Sequence, residues 1–148
     1  MTLGLAGLVG LFMTGLLAST LLPLASEPVF IAYLLSDPQA SRLDSVLAIG
    51  LGNTLGGVIT YFMGRGLRLL WLRWRPEDAP EGKIAAKARQ GVQRFGPFAL
   101  IMSWLPLIGD PLCLIAGSLR LSAWACVFWI AIGKFARYAM LAWFVPVV

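Results

Sequence analysis

The sequence predicts an all-α integral membrane protein. The predicted architecture is an inverted repeat in which each unit is a re-entrant helical hairpin plus a transmembrane helix, with a short amphipathic cytoplasmic helix between the units. Three observations predict it. Hydrophobic residues make up 59% of the 148 residues and charged residues 13%, with a mean hydropathy of +0.81; a soluble domain this small could not hide so much apolar surface. Four apolar stretches, residues 3–35, 45–72, 97–119 and 121–148, are each long enough for a bilayer that needs about 20 residues per crossing. And one short motif occurs twice, LPLASEP at 22–28 and LPLIGDP at 105–111, an offset of 83 residues.

The first stretch, 3–35, is too long for one upright crossing at about 1.5 Å per residue. Pro23 and Pro28 interrupt it, each removing a backbone donor and disfavouring helix at the residue before it. The economical solution is a half-helix in, a turn at membrane depth and a half-helix out. No Lys or Arg precedes Arg42, so the basic leader of a signal peptide is missing and the first helix is expected to stay. The second stretch reads as a continuous span. Along it Ala48, Gly52, Gly56, Thr60 and Gly64 recur every four residues, a ridge with almost no side chains against which another helix can pack closely. Asn53 and Thr54 add polarity at mid-depth. The run Gly50–Gly56 is glycine-rich, but no strand precedes it and its spacing is wrong for a dinucleotide site.

Eight of the twelve basic residues, Arg65, Arg68, Arg73, Arg75, Lys83, Lys87, Arg89 and Arg94, lie between the two halves, whereas 36–44 is slightly acidic. The positive-inside rule places 65–94 in the cytoplasm and 36–44 outside, with Trp71 and Trp74 at the inner interface and Trp143 at the outer one. From Glu81 to Phe95, Ile84, Ala88, Val92 and Phe95 share one face and Lys83, Lys87, Gln90 and Arg94 surround the other. Such a basic amphipathic helix is suited to an anionic inner leaflet. The domain division is then repeat 1 at about 3–72, the linker at about 73–95 and repeat 2 at about 96–146.

Repeat 2 follows from the same offset, because Ala131-Ile132-Gly133 also matches Ala48-Ile49-Gly50 83 residues earlier. Pro106 and Pro111 break its first stretch as Pro23 and Pro28 break the other. A hairpin that returns to its own side plus one crossing helix makes an odd number of crossings, so the second copy is upside down and the two tips meet near the midplane. Paired interrupted segments of this kind point to a transporter binding site.

Glu27 and Asp110 sit at the two tips. An ionisable residue in a membrane costs roughly 2.5–3.5 kcal/mol on insertion scales, so both need partners. Lys134 and Arg137, three apart and hence on one face of the last helix, are the candidates, with Asp110 expected to contact Arg137. Glu27, Asp110, Lys134, Arg137, Asn53 and Arg65 form the predicted substrate or proton site. Cys113 and Cys126 read as packed thiols. The chain has no histidine, which removes the commonest general base and transition-metal ligand; no metal, no cofactor and no enzymatic activity are expected.

The blocks LPLASEP, YFMGRGLR and RFGPFALIMSWLPLIGDPLCLIAGSLRLSAW, with GKFARY in the last helix, resemble the DedA family, also called the SNARE-associated Golgi or VTT superfamily. The short length and the GD at the second tip are most similar to its YqaA-type branch. The resemblance covers nearly the whole chain. It implies two re-entrant hairpins, a multi-pass protein of the inner (cytoplasmic) membrane, and a role in phospholipid or undecaprenyl phosphate translocation and envelope homeostasis, often dependent on the proton motive force. Larger members carry an acid in the first hairpin, matched by Glu27. They also carry arginines in the second hairpin where this chain has Ser103 and Gly109, a departure that Lys134 and Arg137 would make good.

The function expected is translocation of a phospholipid or lipid-linked phosphate between leaflets. Lys134 and Arg137 would hold the phosphate, Glu27 and Asp110 would take protons or exchange salt bridges, and Gly52, Gly56 and Gly64 would allow rocking. The alternatives are a small-solute or cation antiporter on the same acids, and a non-transporting assembly factor. The expected partners are membrane lipids with anionic headgroups rather than nucleic acid, and the sequence allows a homo-oligomer.

Overall fold

The computed structural model describes residues 2–20, 26–37, 40–74, 82–105 and 108–146. Pro23, Pro106, Glu77, Asp78 and Glu81 lie outside the described residues, as do the side chains of Trp71, Trp74 and Ile84. Among the described residues the regular structure is entirely helical. In order it comprises α1 (Thr2–Thr20), α2 (Ser26–Ser36), α3 (Arg42–Trp74), α4 (Lys83–Phe95), a 3-10 helix (Gly96–Trp104), α5 (Gly109–Ser118) and α6 (Ala123–Phe144). Within these, Arg42–Leu67 and Ala123–Phe144 are long and apolar enough to cross a membrane.

The two proline motifs act as the sequence requires, by separating helices. Pro28 is the third residue of α2 and Pro111 the third of α5, in the first turn, where a backbone N–H has no acceptor within the helix to lose. Helices α2 and α5 begin at positions 26 and 109, the same 83-residue offset as the motifs. Each acid therefore stands at the second position of its helix, Glu27 in α2 and Asp110 in α5.

Helix α3 is the central strut, packed against α1, α5 and α6. Its small-residue ridge does two jobs. A side chain at Gly52 would run into the Phe12 carbonyl oxygen of α1, and one at Gly56 would come within 2.7 Å of the Leu16 carbonyl oxygen. About two turns further along, Gly64 faces the Leu114 carbonyl oxygen of α5, whose Gly117 in turn abuts the Tyr61 carbonyl oxygen. Backbone-to-backbone contact of this kind replaces the large side chains of a soluble core, because lipid supplies no hydrophobic drive between helices.

Two apolar clusters flank the middle of α6. One contains Tyr61, Leu100, Cys113 and Ile130, the other Leu11, Phe30, Ile49 and Tyr138. Both cysteines are free and buried. The exterior is as apolar as the interior. Leu5, Val9, Met13 and Leu17 form an exposed stripe on α1, and Leu43, Leu47, Leu51, Leu55 and Ile59 form one on α3. Exposed apolar surface on this scale suits hydrocarbon rather than water. Trp124 and Trp143, 87% and 83% exposed, mark the two ends of α6. Helix α4 turns Val92 and Ala88 into the protein, against the Tyr61 cluster, and leaves Lys83, Lys87 and Arg94 exposed.

Candidate functional site

Between the two clusters on α6 lies Lys134, among the largest fully buried side chains. A lysine ammonium has three protons and no acceptor, and all three are used. They go to Asp110 Oδ1 at 2.8 Å, to Ser19 Oγ at 2.7 Å and to Asn53 Oδ1. Ser19 donates its own proton to Asp110 Oδ1 at 2.6 Å, while Thr60 holds the Ser19 carbonyl at 2.8 Å. One carboxylate oxygen therefore receives both a charged and a neutral donor, contributed by α6 and α1.

The remaining bonds run in one direction. Because the ammonium can only donate, it must face the amide oxygen of Asn53, which turns the amide nitrogen toward Tyr138. Asn53 Nδ2 donates to the Tyr138 hydroxyl at 2.6 Å. The Tyr138 proton is then available to Ser26 Oγ, also 2.6 Å away. Ser26 is the residue before Glu27, and Glu27 forms an ion pair with Arg137. Arg137 also lies over the Tyr138 ring, 5.7 Å from its centroid. A continuous polar seam thus joins Asp110 on α5 to Glu27 on α2 through α1, α3 and α6.

The predicted residues divide accordingly. Glu27, Asp110, Lys134, Arg137 and Asn53 are all in the seam. Arg65 is not: it donates to the Tyr61 hydroxyl at 3.3 Å, which itself donates to the Leu121 carbonyl at 2.5 Å, near the far end of α5. The expected Asp110–Arg137 contact is also replaced. Asp110 takes Lys134 and Glu27 takes Arg137, because the starts of α5 and α2 meet different turns of α6. Sequence reasoning missed Ser19, Ser26 and Tyr138. A signal for Tyr138 was present, since it follows Lys134 by four residues and shares its helix face. Single serines in an apolar run carry no comparable signal.

Ser103 and Gly109 have a physical reason to be small. A side chain at Gly109 would collide with the Ser103 carbonyl oxygen, and Ser103 is buried with Gly133 of α6 packed on its hydroxyl.

Helices with apolar exteriors around a buried charged seam define an integral membrane protein. A family model described as the VTT domain matches residues 1–146. Over 136 residues the chain is 37% identical to "Inner membrane protein YqaA" of Escherichia coli (strain K12), spanning 91% of this chain and 88% of that protein. It has the same identity and coverage to the Shigella flexneri protein of that name. An "Uncharacterized protein" of Haemophilus influenzae is 34% identical over 137 residues, covering 88% of this chain and 82% of the relative. No solved structure matches. The chain belongs to the VTT domain family, the DedA family of membrane proteins.

Proposed function

We propose that this protein moves a phospholipid or lipid-linked phosphate between the leaflets of the inner membrane, with the polar seam as the path of the headgroup. The observation that carries the reading is the pair of ion pairs at the starts of α2 and α5, both closed by one face of α6. Buried ion pairs stabilise poorly compared with apolar packing, so stability alone is a weak reason for two of them between helices with apolar exteriors. Lys134 and Arg137 supply the positive charge that a phosphate needs, Glu27 and Asp110 exchange salt bridges or protons with it, and the bare backbone contacts at Gly52, Gly56 and Gly64 let α3 shift against α1 and α5.

In this reading α1–α2 and the 3-10 helix–α5 are the two re-entrant hairpins, entering from opposite sides, with α3 and α6 the crossing helices of an inverted repeat. The matched starts of α2 and α5 support the repeat, and the name of the Escherichia coli relative supports only the inner-membrane location. Trp124 then sits at the inner interface and Trp143 at the outer one. The exposed Lys83, Lys87 and Arg94 of α4 meet anionic headgroups of the cytoplasmic leaflet.

Headgroup-resolved translocation in proteoliposomes tests the proposal. Wild type is expected to move an anionic phospholipid, and Glu27→Gln and Arg137→Gln are expected to insert normally but lose transport. A protein that moves no lipid but exchanges protons for small cations would replace this reading with that of an antiporter.

A further inference from the structure

Lys134 is buried, and its donors are exhausted, so no phosphate reaches it while the seam stands as described. Its three partners are not equivalent, however. Ser19 and Asn53 are each 3% exposed and enclosed by α1 and α3. The Asp110 side chain is 38% exposed, against 2% for that of Lys134. The carboxylate is thus the one partner open to the outside, and the ammonium lies directly behind it.

We infer that the Asp110 carboxylate occupies an oxyanion site built by Lys134 and Ser19, and that a phosphate oxygen enters by displacing it. The inference rests on the headgroup reading above and adds how the headgroup gains entry. Asp110 Oδ1 stands in for a ligand oxygen: it receives Lys134 Nζ at 2.8 Å and Ser19 Oγ at 2.6 Å, the two donors that a phosphate oxygen would take over. Both donors are held in place by groups that do not leave. Asn53 keeps a second proton of Lys134, and Thr60 keeps the Ser19 backbone through its carbonyl. The site therefore survives departure of the carboxylate, as a preformed pair of donors, one charged and one neutral. The displaced Asp110, already partly exposed, swings outward from the start of α5, which begins at Gly109. Asp110 is thus an internal competitor, and the site is closed to weak anions by default.

The test has a sign opposite to that of a simple salt bridge. Binding of dodecyl phosphate is measured on the full-length protein in maltoside micelles, with inorganic phosphate and dodecyl trimethylammonium as further probes. A tethered competitor acts at an effective concentration in the millimolar range, so its removal tightens ligand binding by about tenfold or more. Asp110→Ala is expected to bind dodecyl phosphate more tightly than wild type by that factor. Because this variant leaves a buried cation unpaired, its folding is followed as well, and dodecyl phosphate is expected to raise its Tm more than that of wild type. Lys134→Gln in the Asp110→Ala background and Ser19→Ala in the same background are expected to reduce the gain. Matching gains with inorganic phosphate identify a site for the oxyanion alone; a gain confined to dodecyl phosphate identifies a lipid-headgroup site, and either supports displacement. Unchanged affinity in Asp110→Ala, with wild-type binding lost in Arg137→Gln, overturns displacement and leaves the headgroup reading standing. No binding of dodecyl phosphate by any variant overturns both.

Discussion

The pairing of Asp110 with Lys134 yields a prediction whose size follows from the exposure of each partner. Asp110→Asn leaves the Lys134 ammonium buried, its side chain 2% exposed, with Ser19 and Asn53 but no counter-charge. Breaking a buried pair by removing one partner costs about 3–5 kcal/mol, and this variant belongs near that range. Lys134→Gln leaves the opposite charge behind, but Asp110 is 38% exposed, less enclosed than Lys134, and keeps the Ser19 hydroxyl. Its cost is nearer the about 1–3 kcal/mol of an unsatisfied buried group. In the double variant neither charge is stranded, so the cost is less than the sum of the two, by an interaction energy of about 1–3 kcal/mol. The assay is equilibrium unfolding in mixed micelles, as a double-mutant cycle, with the Asp110→Asn and Arg137→Gln cycle run beside it. The expected result is strong coupling in the first cycle and weak coupling in the second. Additivity of Asp110→Asn with Lys134→Gln, or coupling of Asp110 to Arg137 instead, would refute the pairing.

Three further outcomes are expected. Tyr138→Phe keeps the edge-on contact with Phe30, whose ring centre is 5.5 Å away, but removes the hydroxyl between Asn53 and Ser26, and should cost about 1–3 kcal/mol in the same unfolding assay; no change would mean that the seam is interrupted there. Gly64→Val drives a side chain into the α5 backbone and should lower the yield of folded protein, by about 1–3 kcal/mol or more, whereas Gly10→Ala, with nothing near it, should be neutral. Cysteines introduced at Ser41 and Lys87 should react with an impermeant reagent from outside and from inside respectively, the native Cys113 and Cys126 being buried; labelling of both from one face would overturn the inverted arrangement.

What the sequence determined by itself is what depends on near neighbours. Proline cannot donate and is accepted in a helix's first turn, so new helices near Pro28 and Pro111 were legible, as was their 83-residue spacing, although Glu27 and Asp110, each just before a proline, are helical rather than broken. Apolar run length showed that α3 and α6 are long enough to span, and the four-residue recurrence of Gly52, Gly56 and Gly64 announced a close-packed ridge. The cost of charge in an apolar run singled out Glu27, Asp110, Lys134 and Arg137. What the sequence misassigned is which partner each charge takes: Asp110, expected to contact Arg137, takes Lys134. Lys134 and Arg137 are three residues apart on one face, and either could serve either acid. The choice depends on which turn of α6 the starts of α2 and α5 meet, and the backbone contacts of α3 with α1 and α5 position them. The same contacts bring Ser19 to Lys134, and they leave Arg65 with Tyr61 at the far end of α5 rather than in the seam. Only the tertiary structure decided these pairings, because hydrogen bonds act over about 3 Å between residues up to 115 positions apart, and nothing local in the chain encodes that meeting.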